Sequence, residues 1–501
     1  MSGQANSIPA IDEPLTRTRL VLDVERLLLV GSYALVGAAL LWSRLFDLGN
    51  SFWYDELYFV AHFVRGGPGE ILGGPYVPNN HELYGLLTWA AAALTGESGT
   101  TFRLLSALPF IAGVVIVTAW LHVRVRPLSG LLYLFLATVS PLLLDVSRQA
   151  RGYGLTYLAM SVLMVAALEA NRTGSGKAVA TACAAGVMGT WTLPHFGIAF
   201  AATALVLLAD RRLRTPMLVG LLTSGIAIAA WYGPHVAQIR ASSQHEDGFR
   251  MSTEWVFTAP IDQILLPALI WIEGVVLLPG AIWLPLVLLA VLVMGSSPLL
   301  HERQPALILS SGTFATIIAF WATQTYIFTR FLSYLLAPSL MLVATGASFI
   351  LVRPAGRRPA ILRSLVCVVA IALLAARFVT IAPEVVRLPR EANRDAAEFI
   401  EQQTSRKSPV LVYTLLPEGL AFYLDRPTQP LTASTVALRV CSAAQPIVYV
   451  MQPMTIKLVD VPCLDRPGVR HARFRQYARG GEIDVWLVPP ARRNTQGSPA
   501  T

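Results

Sequence analysis

Three stretches of this chain, residues 274–300, 305–329 and 331–352, each run for more than twenty residues without a charged side chain. At ~1.5 Å of rise per helical residue, each reaches across the ~30 Å hydrocarbon core of a bilayer. The composition extends the pattern to the rest of the sequence, being 54% hydrophobic and only 14% charged, with a mean hydropathy of +0.56. Such a chain is a polytopic membrane protein. It is not a soluble enzyme with a membrane tail, a disordered scaffold, a nucleic-acid-binding domain or a disulfide-rich secreted module. The net charge of +9 does not argue for nucleic acid, because much of it falls in short loops between spans, where topology selects Lys and Arg.

Eleven runs read as spans: 27–43, 104–121, 128–144, 152–168, 178–194, 196–209, 216–234, 274–300, 305–329, 331–352 and 364–382. The fold class expected is an all-α polytopic membrane protein with a small C-terminal α/β domain. Residues 1–26 form a cytoplasmic segment, 27–382 the transmembrane unit with its outer loop at 44–103, and 383–501 an external domain. The first run has no small-residue cleavage site behind it and reads as a signal anchor. Residues 82–95 are too short for a span and read as an interfacial helix. Loop charge supports that choice. If 82–95 does not cross, fifteen Lys and Arg lie inside, against eight outside: Arg44, Arg65, Arg103, Arg148, Arg151, Arg240, Arg250 and Arg330. If it does cross, the split becomes nine inside and fourteen outside, against the positive-inside rule.

The tail changes character. It is charged and Pro-rich, with short apolar stretches at 410–413, 447–451 and 485–488 that read as strands and a helix-like stretch at 391–403. Cys441 and Cys463 both fall in it, and an external domain favours a disulfide between them over two buried thiols.

In this topology the polar residues gather on the outer side. The first loop carries Trp53, Tyr54, Asp55 and Glu56, then Asn79, Asn80, His81 and Glu82, and ends at Arg103. The next carries Asp145 and the run Ser147-Arg148-Gln149-Ala150-Arg151-Gly152-Tyr153, and later turns add Trp191, His195 and Arg330. Ionisable groups at a bilayer edge are costly unless they pair or serve a ligand, and arginine suits phosphate. An acid/base carboxylate opposite an anion site fits the set. Each piece also has a plainer reading: a solvated acidic pair, snorkelling arginines, interfacial histidines, and an aromatic belt of Trp and Tyr.

The order of these motifs resembles the GT-C superfamily of glycosyltransferases, which includes protein O-mannosyltransferases and bacterial lipid A aminoarabinose transferases. The likeness spans residues 27 to about 352. It rests on Asp55-Glu56, the stretch Asn80-His81-Glu82-Leu83-Tyr84, Arg103-Leu104 before Pro109, Ser147 to Tyr153, and Arg330-Phe331. Glu82 stands where the family usually has proline, and Phe331 where Tyr is commoner. The resemblance implies an inverting transfer of sugar from a polyprenyl-phosphate donor to a hydroxyl of a lipid, glycan or protein acceptor, at the outer face of the cell membrane. By the same resemblance Asp55 is the general base, and Glu56 orients the acceptor or pairs with an arginine. His81, Arg103, Arg148, Arg151, Tyr153 and Arg330 bind the donor phosphate, Arg330 and Arg151 foremost, and Trp53, Tyr54 and His195 touch substrate. No Asp-x-Asp stands in the first loop, so no metal or other cofactor is assigned. The partners implied are the lipid-linked donor, the acceptor and membrane lipids, with no nucleic acid. The competing classes are a transporter or lipid flippase, which needs polar groups near the bilayer midplane and usually internal repeats, and an O-antigen ligase or polymerase type enzyme, which lacks an early Asp-Glu loop.

Overall fold

The computed structural model describes residues 13–74, 80–237, 293–322, 329–352, 358–387, 392–414, 417–424, 426–451, 460–474 and 483–491. Most of the run 274–300, the end of the run 305–329, and Arg240 and Arg250 lie outside the described residues. Helix α1 (Glu13–Leu45) leads into a first loop that holds α2 (Tyr54–Phe59), a π turn (Val60–Val64), α3 (Gly67–Gly73) and α4 (Glu82–Thr95). Then come α5 (Gly99–Arg124), α6 (Pro127–Val139), α7 (Pro141–Ser147), α8 (Tyr153–Thr173), α9 (Gly176–Thr192), α10 (Phe196–Ala209) and α11 (Arg214–Tyr232). Later in the chain lie α12 (Arg303–Ala322), a 3-10 turn (Thr329–Leu335), α13 (Leu336–Val352) and α14 (Arg358–Arg387).

Among the described residues six helices are long and apolar enough to cross a bilayer, or seven if α6 and α7 form one broken span. Helices α9, α10 and α12 occupy three more of the runs read as spans. The run 128–144 is not one straight helix but two, bent by 68°. Pro141 explains the break, since it has no N–H to continue the ladder. The buried Arg44 serves the C-terminal end of α6, its Nη2 donating to the carbonyls of Ala137 (3.0 Å) and Thr138 (3.1 Å). A cation at a helix C-terminus satisfies orphan carbonyls and opposes the negative end of the dipole. The last helix also continues past 382, to Arg387.

Helix α8 is the centre of the bundle, with 78% of its membrane-length window buried, against 11% for those of α1 and α14. The bare faces of those two helices, such as Leu27 and Leu35 or Leu365 and Val379, are apolar surface that a bilayer covers. Gly154 lets α8 meet α5. A Cβ there would fall 1.9 Å from the Ser106 carbonyl oxygen, so any side chain would push the helices apart. That contact brings the start of α8, with Arg151, against the start of α5, with Arg103.

The C-terminal unit is a five-stranded sheet in the order β2-β1-β3-β5-β4. Its strands are β1 (Val410–Tyr413), β2 (Thr428–Pro430), β3 (Ile447–Met451), β4 (Arg470–Phe474) and β5 (Ile483–Val488). Strand β1 runs parallel to β2 and β3, and β5 antiparallel to β3 and β4. Alternation sorts side chains to two faces. Val410, Val412, Val448 and Val450 pack against Ala396, Ala397 and Ile400 of the helix Asn393–Gln403, while Leu411, Tyr413, Tyr449 and Met451 pack against Val436 and Val440. Cys441 and Cys463 are joined by a disulfide on the second face.

Candidate active site

The ends of α1, α5, α7, α8 and α9 and the 3-10 turn converge with the first loop at one end of the bundle. Asp55 and Glu56 occupy the first turn of α2, two adjacent positions with opposite surroundings. The Glu56 carboxylate is fully engaged. Its Oε1 accepts from Arg103 Nε (3.0 Å) and the Ala150 N–H, and its Oε2 from Arg103 Nη2 (2.7 Å) and the Trp53 N–H (3.1 Å). Four donors fill the lone-pair positions of a carboxylate. Arg103 is committed as well, giving Nη1 to the carbonyls of Leu48 (2.9 Å) and Asn50 (2.6 Å) and Nη2 to that of Ser51 (2.9 Å).

Asp55 faces the other way, toward cations. Its Oδ2 lies 2.7 Å from Arg330 Nη2 and 3.5 Å from Arg151 Nη1. The Arg330 guanidinium sits over the Trp53 ring at 5.2 Å and that of Arg151 over Tyr153 at 5.5 Å. Arg151 is wholly buried and its Nη2 donates to His81 Nε2 at 2.8 Å. Arginine has no acceptor, so His81 is the neutral tautomer with its proton on Nδ1. Burial and the Arg151 charge hold its pKa well below the usual histidine range. The Tyr153 ring meets His81 edge-on at 5.1 Å and lies 6.2 Å from Phe331.

The geometry sorts the residues singled out in the sequence by what each one touches. Glu56 takes the second of its two expected roles and pairs with an arginine; it and Arg103 hold each other and the loop backbone, which leaves Arg103 no open fork for phosphate. Arg148 is likewise spent on backbone, donating to the carbonyls of Ser43 (3.0 Å), Phe46 (2.8 Å), Asp47 (3.1 Å) and Val386 (3.2 Å). His81 supports Arg151. His195 Nε2 donates to the Phe331 carbonyl (3.1 Å), steadying the turn that carries Arg330, and burial lowers its pKa to about 4. The Tyr54 side chain lies outside the described residues. What the structure brings together is Asp55, Arg151, Arg330, His81, Trp53 and Tyr153. Among the described residues no group of three or more His, Cys, Asp or Glu side chains could hold a metal ion.

Sequence reading missed the setting of Glu82. Its carboxylate accepts from the Trp231 indole, which stacks on Trp191 at 4.4 Å, and burial pushes its pKa up to about 7. An acidic residue in place of proline at a helix start was the available signal.

A membrane-helix bundle with an acidic first loop, a cationic counterface and a small α/β domain after the last membrane helix is a fold with solved counterparts. No protein-family model matches the chain, and no curated protein matches its sequence. Solved structures do. ArnT from Cupriavidus metallidurans in the apo state aligns with a TM-score of 0.54 at 14% identity, over 93% of this chain and 98% of that one. The same protein bound to undecaprenyl phosphate gives 0.51 at 15% identity, over 94% and 99%. The apo Archaeoglobus fulgidus oligosaccharyltransferase gives 0.50 at 12% identity, over 85% of this chain and 69% of that one.

Proposed function

We propose that this chain is an inverting glycosyltransferase that moves a sugar from a polyprenyl-phosphate donor to an acceptor hydroxyl at the outer face of the cell membrane. The observation that carries the reading is the Asp55 carboxylate set against Arg330 and Arg151 at one end of a GT-C bundle. In a single displacement the acceptor oxygen bonds to the anomeric carbon as the bond from that carbon to the phosphate oxygen breaks. The electron pair leaves with the phosphate and the acceptor proton passes to Asp55. Inversion follows from attack opposite the leaving group. The phosphate gains charge as it departs, so cations already in place are what the step needs. Arg330 and Arg151 supply them, and the donor phosphate takes over the contact that Arg330 makes with Asp55. His81 and Tyr153 hold Arg151, while Glu56, Arg103 and Arg148 fix the loop. That a solved ArnT binds undecaprenyl phosphate supports a lipid-linked donor here. Membranes incubated with a panel of radiolabelled polyprenyl-phosphate sugars, resolved by thin-layer chromatography, test the reading: transfer of label from at least one donor is expected, and no transfer from any of them sinks it.

Arg330 is the only charge in residues 305–352. A snorkelling anchor tolerates lysine, whereas a two-oxygen phosphate ligand needs the guanidinium fork. Arg330→Lys should therefore leave expression and insertion unchanged and lower donor binding or turnover at least about tenfold. Unchanged affinity and rate would return Arg330 to the anchor class.

The sidedness has its own test. Reporter fusions after Thr215 should give a cytoplasmic signal, and fusions after Thr404 an external one. A cytoplasmic signal from the C-terminal domain would overturn the outer-face assignment.

A further inference from the structure

The segment that delivers Asp55 is held from two sides. From the membrane unit, Arg103 takes the carbonyls of Leu48, Asn50 and Ser51. From the C-terminal domain, Arg394 Nη1 donates to the Gly49 carbonyl (3.0 Å) and the Arg394 N–H to Ser51 Oγ (3.2 Å), while the Phe52 N–H donates to the Tyr423 hydroxyl (2.7 Å). The Phe422 ring meets Phe52 edge-on at 5.9 Å, and the Arg65 guanidinium lies over the same Phe422 ring at 4.4 Å. Asn50 reaches the Val386 carbonyl at the end of α14 (3.3 Å). The segment needs this support. Asp47 turns the chain with a φ of 50°, a conformation uncommon for a residue with a side chain, and α2 with the π turn that continues it is short for a helix that must hold itself.

We propose that Tyr423 and Arg394 of the C-terminal domain are positioning residues for Asp55, fixing the angle at which α2 presents that carboxylate to Arg330 and Arg151. The inference rests on Asp55 being the acceptor base. The domain thereby becomes part of the catalytic machinery without touching substrate. Tyr423→Phe removes one oxygen and keeps the ring among its apolar neighbours. Arg394→Met removes the bond to Gly49 and keeps the backbone bond to Ser51.

The test uses the full-length protein in nanodiscs, with each variant and the pair compared with wild type by thermal melting, by amide hydrogen exchange over residues 46–58, and by kcat and donor KM. Faster exchange confined to the segment around Phe52 is expected, with melting unchanged. Misplacing a reacting group by a fraction of an ångström costs rate and not ground-state binding, so kcat should fall about tenfold in the pair while donor KM stays the same. Wild-type exchange together with wild-type kcat overturns the proposal. So does a raised donor KM at constant kcat, which would make the domain a donor-binding element. Should the wild type transfer no polyprenyl-phosphate sugar at all, the glycosyltransferase reading falls, and hydrogen exchange alone decides whether the domain sets the segment.

Discussion

Asp55→Asn is expected to lower sugar transfer by ~10²- to 10⁴-fold, the range associated with loss of a general base. Asparagine keeps the size of the side chain but cannot accept the acceptor proton. It also leaves Arg330 and Arg151 without the carboxylate they flank at 2.7 and 3.5 Å. Two freed cations favour the donor phosphate, so donor affinity should hold or rise while turnover collapses. Measured together, single-turnover rates and equilibrium binding of a polyprenyl phosphate separate the two effects. Retained turnover in Asp55→Asn would remove Asp55 from the role of base. A parallel fall in binding and rate would instead make it part of the donor site. Glu56→Gln, one residue on, should spare the chemical step far better, because Glu56 faces Arg103 and two backbone N–H groups and not the cationic pocket.

The contrast between those neighbours also marks how far the sequence could be read. Uncharged length identified the described helices of the bundle, and the segment 82–95 is the helix α4. The strands β1, β3 and β5 were legible because they are buried and apolar. Strands β2 and β4 were not, since they are the sheet edges, where the sequences Thr-Gln-Pro and Arg-His-Ala-Arg-Phe reflect protection from further pairing more than burial. Residue type and order picked out side chains that the structure brings together, but not how their contacts are divided among them. Nothing in the letters Asp-Glu says which carboxylate faces the protein and which the pocket; that is settled by a helix start, which turns successive side chains ~100° apart. The same holds for the arginines. Arg148 and Arg151 are three residues apart in one motif, yet the first closes on backbone carbonyls of the α1 end and the second on Asp55 and His81. Tyr423 and Arg394 were out of reach for another reason: their partners lie more than three hundred residues earlier in the chain, and no local pattern announces a contact of that separation.

The second large effect should be on folding, at the pair Arg103–Glu56. Both side chains are nearly sealed from solvent, at 8% and 1% exposure, and they meet in a bidentate contact. A buried pair of this kind adds little net stability over a well-packed apolar pair, because desolvation offsets the attraction, but removing one member strands the other. Arg103→Met leaves the Glu56 carboxylate buried with only the N–H groups of Trp53 and Ala150, and also releases three loop carbonyls. The expected cost is ~3–5 kcal/mol, large against a typical total stability of ~5–15 kcal/mol. It should appear as a lower apparent melting midpoint and a smaller monodisperse fraction in detergent. Glu56→Gln, which strands the guanidinium instead, should cost less, since Arg103 keeps its bonds to Leu48, Asn50 and Ser51. The double variant decides the cause. With no charge left to strand, Arg103→Met combined with Glu56→Gln should be more stable than Arg103→Met alone, a coupling of at least ~1 kcal/mol between the positions. Additive losses would mean that the three carbonyl bonds, and not the ion pair, hold the loop.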